Sequence, residues 1–90
     1  NISRIHGLKA LALAMSGRDE EALKEYRLDS ANFPYLTLPY IGQITCLGRL
    51  GRTTEIPAVE QKLYEIMKIR GLSRSDLMAI MKNPELDRPR

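Results

Sequence analysis

The chain has 90 residues, of which 43% are hydrophobic and 28% charged, with a formal net charge of +3. That is room for one small hydrophobic core, and a balance too apolar for an intrinsically disordered chain. No apolar run approaches the ~18 residues of a membrane-spanning helix, and 14 basic residues against 11 acidic ones, spread along the chain, make no nucleic-acid footprint.

Five helices are expected, in chain order. Over residues 3–16, Ile5, Leu8, Leu11, Ala12 and Met15 recur at spacings of three and four, and Ser16-Gly17 ends the pattern. A second helix opens at Asp19, Glu20 and Glu21, where the helix dipole favours negative charge. Its inner stripe is Ala22, Leu23 and Tyr26, with Asp29 or Ser30 facing out, and it stops before Asn32-Phe33-Pro34. A Glu20–Lys24 pair is expected on its surface.

The third helix is expected over residues 38–50, with Thr37 as N-cap and Leu38, Ile41, Ile44, Thr45 and Leu47 as its apolar stripe. A fourth starts at Thr53 or Thr54, carries Ile56, Val59, Leu63, Ile66 and Met67, and ends at Gly71. The fifth is short. Ser73 and Asp76 have the spacing of a capping box, and Leu77, Met78, Ile80 and Met81 are its apolar residues before Asn83-Pro84. No segment alternates with period two, so the expected class is all-α.

Chemistry-bearing motifs are missing. The sequence has no glycine-rich phosphate loop, no G-x-S-x-G, no H-E-x-x-H and no CxxC. Its one cysteine, Cys46, lies in an apolar run and reads as a small core residue, which fits a reducing, cytoplasmic setting. The one histidine, His6, has no nearby partner in sequence, and Glu20 and Glu21 read as a solvated first turn. The four methionines read as core filler. No catalytic residue, cofactor or metal site is therefore expected, and this segment reads as non-enzymatic. Arg70, Arg74 and Lys82 are the side chains within reach of phosphates if the fifth helix met nucleic acid, the least favoured reading.

Gly17-Arg18 and Gly51-Arg52 lie 34 residues apart, and at the same offset Leu13 matches Leu47 and Glu21 matches Glu55. These are the only identities over the window from Ser3 to Leu36, and they cluster around the inter-helix turn. The period is that of a tetratricopeptide repeat. Ala10, Gly17, Ala22, Tyr26 and Pro34 stand where that family places a small residue, a turn glycine, alanine, an aromatic and proline, so the first unit resembles such a repeat. Leu13 and His6 occupy places where the family usually carries aromatic residues. The second unit keeps Leu47, Gly51 and Ile56 but has Glu60 and Lys68 in place of the aromatic and the closing proline.

The order Leu50-Gly51-Arg52, Glu55, Leu72 to Met81 and Asn83 to Asp87 is also similar to the C-terminal repeat tails of bacterial multidomain signalling proteins, among them winged-helix regulators and adenylate/guanylate cyclases. The resemblance implies a TPR-like α-α superhelix of two helical hairpins plus a short C-terminal capping helix. Its parts are a repeat domain over 1–83, with repeats at about 3–36 and 37–70 and the cap at about 73–82, then a tail over 84–90. It implies a protein–protein interaction or scaffold module in a larger bacterial regulatory protein, with a missing upstream neighbour. The alternative is a homo-oligomerisation tail of a signalling enzyme. In the family the first helix of each pair lines the inner groove. On that basis Arg4, Lys9, Tyr40 and Gln43 are the expected partner contacts, and Ala10, Leu11 and Ala14 an uncovered edge.

Overall fold

A computed structural model describes residues 5–87. Among them lie five α-helices: α1 (Ile5–Met15), α2 (Asp19–Asn32), α3 (Leu38–Arg49), α4 (Ile56–Arg70) and α5 (Arg74–Lys82). Short 3-10 turns cover Thr53–Glu55 and Pro84–Leu86, and the described residues form no strand. The all-α expectation holds, and no helix among the described residues is long and apolar enough to cross a membrane.

The four identities at the 34-residue offset have one structural cause. Gly17 and Gly51 both take left-handed backbone, at φ 78° and 73°, a geometry that costs glycine no Cβ clash. The amide after each reaches back over the turn, Arg18 to the Leu13 carbonyl and Arg52 to the Leu47 carbonyl, both at 2.9 Å. This is a Schellman ending, which satisfies carbonyls left over at the helix terminus. Each arginine then turns onto the glutamate three residues later, Arg18 to Glu21 and Arg52 to Glu55. Gly71 repeats the backbone turn at the end of α4.

Helices pack in chain order: α1 on α2, α2 on α3, α3 on α4, with α1 also meeting α3. The core is Ala10, Ala22, Leu23, Tyr26, Cys46 and Leu47, bordered by Leu13, Ala14, Leu50, Ile56 and Val59. Ala10 and Ala22 are fully buried and keep α1 and α2 close. Gly42 does the same between α2 and α3, for a methyl group there would overlap the Tyr26 ring. Cys46 is a buried free thiol, as its apolar context suggested.

Several expectations about orientation need correction. Asp29 does not face out but is completely buried. Glu20 reaches Arg52 of the following turn at 2.8 Å, and Arg49 reaches Asp19 at 3.1 Å, so the acidic start of α2 ties two helix pairs together. Three methionines, Met15, Met78 and Met81, are exposed and so are not core filler.

The first helix is apolar nearly all round, and most of the residues that recur at spacings of three and four face outward. Ile5, Leu8, Leu11 and Met15 are exposed, while Gly7 and Ala10 are buried. Ala10 is thus no part of an uncovered edge; Leu11 is.

Ser73 and Asp76 form the expected capping box: Asp76 N–H donates to Ser73 Oγ at 3.2 Å, and Ser73 N–H donates to Asp76 Oδ2 at 2.7 Å. Thr37 stands at the N-cap of α3, but its side chain makes no cap hydrogen bond. The cap is supplied instead by Asp87. Its carboxylate accepts from the Thr37 and Leu38 amides and the Thr37 hydroxyl, and pairs with Arg70 at 2.7 Å. The segment after Asn83 was expected to be a tail; up to Asp87 it is part of the fold. Arg70, directed at Asp87 and the Tyr35 carbonyl, is not offered to phosphates.

Candidate functional site: an apolar groove between α1 and α3

Arg49 donates to the Ala14 carbonyl at 3.3 Å, which brings the C-terminal ends of α1 and α3 together. α1 and α3 are in contact, and a groove of about 410 Å³ opens between them. That is within the ~300–1,000 Å³ of a small binding cleft. Gly7, Leu8, Leu11, Ala14 and Met15 form the α1 wall, a set spaced for one helix face. The α3 wall is Leu38, Ile41, Gly42, Thr45, Cys46 and Arg49, again one face, with Tyr26 of α2 between the walls. Met81 and Pro84 complete the lining.

The groove offers contact surface, with few polar groups to spare. Thr45 donates its hydroxyl to the Ile41 carbonyl at 3.0 Å. The Arg49 guanidinium is engaged by Ala14 and Asp19. Burial pushes the Cys46 thiol above its ordinary value, and the Asp19 charge adds to this, with Arg49 opposing. The thiol is accordingly protonated at neutral pH and a poor nucleophile. Among the described residues no group of three His, Cys, Asp or Glu side chains is placed to hold a metal ion.

The sequence-derived partner contacts do not gather in this groove. Arg4 lies outside the described residues. Lys9 turns to α2, where its ammonium lies 3.1 Å from Glu25 Oε1. Gln43 does not point outward. It is buried, donating to Ser30 Oγ at 3.1 Å and to the Tyr26 carbonyl at 3.4 Å. Tyr40 is half-buried, with its hydroxyl donating to the Pro34 carbonyl and its acidity reduced by burial. The reason is one of phase. On α3, positions 40, 43 and 47 face away from the groove, and positions 38, 41, 45 and 49 face it. The signal that marks the groove was present in the sequence as a second apolar stripe on α1, on a helix whose other face is also apolar.

Glu25 is a second cluster, on the other side of α1. The hydrogen bond from Lys9 holds its carboxyl below the usual range, and burial pulls the other way. The Lys9 and His6 charges add to the lowering, and His6 Nδ1 lies 3.3 Å from Oε2. A carboxyl depressed by folding stabilises the protein above its unfolded pKa, near 4.5, and that contribution is lost as pH falls through the folded value. Thermal melts from about pH 5 to about pH 3 should show a falling Tm, with a shallower fall in Glu25→Gln.

No family profile, curated protein or solved structure matches this chain.

Proposed function

We propose that this chain is a non-catalytic protein–protein interaction module, a TPR-like pair of helical hairpins whose α1/α3 groove takes an apolar helical segment of a partner. The observation that carries this reading is the groove itself: an open cleft walled by Leu8, Leu11, Met15 and Ile41, in which every polar side chain named above is internally engaged. Met15, 80% exposed, and Met81 add pliable, polarisable surface, of the kind that accommodates varied apolar partners. The matched Schellman turns at Gly17 and Gly51 support a repeat architecture, and the exposed face of α1 is what a repeat unit offers to a neighbour. A place in a larger bacterial regulatory protein accords with the sequence resemblance.

The test is fluorescence anisotropy with a panel of fluorescein-labelled amphipathic peptides carrying leucine at helical spacing. A bound peptide should lose at least tenfold in affinity on Leu11→Asp, because each apolar side chain buried at such a contact contributes about 1.5–3 kcal/mol. Charge reversal at Lys9, which faces α2, should change binding little. Equal binding by wild type and Leu11→Asp would remove the groove as the site.

One observation favours self-association as a second reading. Ile5, Leu8, Leu11 and Met15 form a continuous exposed apolar stripe on α1, available to a second copy. Sedimentation equilibrium at tens of micromolar separates the two, since a strict monomer leaves only the heterologous partner.

A further inference from the structure

We infer that α5 and the turn after it form a releasable strap at the groove, pinned by Asp87. This rests on the groove reading for its purpose and on independent geometry for its mechanics. The strap is lightly held. Met78, Met81, Lys82, Asn83, Pro84, Glu85 and Leu86 are exposed, and Ile80 is the one buried residue of α5. The Asp87 side chain, by contrast, is fully buried.

Both Asp87 oxygens are engaged. Oδ1 accepts from the Thr37 amide at 3.0 Å, the Thr37 hydroxyl at 3.0 Å and Arg70 at 2.7 Å. Oδ2 accepts from the Thr37 and Leu38 amides, each at 2.9 Å. Those amides belong to the start of α3, where no side chain of the helix itself provides a cap. One carboxylate thus anchors a segment with few buried apolar contacts, the kind of element that opens below the global unfolding free energy.

The placement gives the opening a consequence. Met81 and Pro84 line the groove with Leu38 and Ile41, and Asp87, three residues beyond Pro84, holds the Leu38 amide at the start of α3. With the strap down, Met81 and Pro84 form part of the groove lining. With it released, the cleft extends along the first turn of α3, and a longer apolar segment fits. Occupancy by such a segment and docking of Asp87 are then coupled, each opposing the other.

Methionine-methyl NMR on the whole chain reads this directly, because Met15 and Met81 both line the groove. In Asp87→Ala the Met81 methyl should move toward its position in the denatured chain while Met67 stays. Amide protection at Leu38 should fall at least tenfold, with protection at Leu23 and Leu47 kept. An unmoved Met81 methyl, or equal loss at Leu23 and Leu47, overturns the strap. Native-state hydrogen exchange of the wild-type chain decides independently of whether the variant folds. The amides of α5 should exchange through an opening that leaves α1–α3 protected, and exchange of α5 only on global unfolding refutes the inference. A peptide panel without a binder would end the docking reading and leave these readouts intact.

Discussion

Leu47→Ala is expected to destabilise the protein by about 3 kcal/mol, within the ~2–5 kcal/mol range of buried leucine truncations. Leu47 has no exposed surface, lies in one core with Leu23, Tyr26 and Cys46, and takes part in the turn that closes α3, its carbonyl accepting from the Arg52 amide. Few neighbours can fill the gap, because α2 and α4 are fixed on either side by the two glycine turns. A 90-residue domain has about 5–13 kcal/mol in total. The melting temperature should therefore drop by more than 10 °C on the scale of ~4–8 °C per kcal/mol for domains of this size. Differential scanning calorimetry measures this. A drop of under about 4 °C, or less than about 1 kcal/mol, would mean that Leu47 is not sealed between the hairpins.

Gly42→Ala should be the second large effect, and opposite in sign to helix propensity. Alanine in mid-helix is favoured over glycine by about 1 kcal/mol. Here the added methyl overlaps the ring of Tyr26, which must leave its place between α2 and α3 and shift into the groove it lines. Overpacking of this kind costs about 1–3 kcal/mol or more, so a net loss of about 2 kcal/mol in urea melts is expected. Gly42→Ala combined with Tyr26→Leu should show coupling of more than about 1 kcal/mol, since the smaller side chain makes room for the methyl. A stabilised single variant would show that α2 and α3 do not approach as closely as the Tyr26–Gly42 contact requires.

How far the chain could be read without coordinates depended on whether the governing interaction was local. Helix limits were legible because their causes lie within a few residues: Gly17, Gly51 and Gly71 for the turns, Pro34 for the end of α2, and Ser73 with Asp76 for the start of α5. Facing was legible for the apolar stripe of α2, Ala22, Leu23 and Tyr26, but not for Asp29 and Glu25, which are polar and also buried. It was not legible on α1. With apolar residues on nearly every side, periodicity cannot choose which stripe goes inward, and the smaller residues Gly7 and Ala10 went in because they admit α2. The groove follows from that choice and so is not legible in the sequence pattern. The place of Gln43 is hidden for a related reason: a polar side chain on α3 reads as outward, whereas Ser30 and the Tyr26 carbonyl satisfy it inside. The capping role of Asp87 carried no local signal, since the Thr37 and Leu38 amides it accepts from stand about 50 residues earlier.

That separation bears on how the molecule assembles during synthesis. A nascent chain that has emerged only through α3 has its first hairpin turn and the Leu23–Leu47 contacts between α2 and α3, but the opening amides of α3 lack the carboxylate that caps them. Their partner is translated last among the described residues, and closing so long a loop carries an entropic cost that the earlier contacts must already have offset. The order of translation therefore leaves the leading turn of α3 frayed until the carboxylate of Asp87 arrives, and the finished fold is completed at its middle rather than at its end.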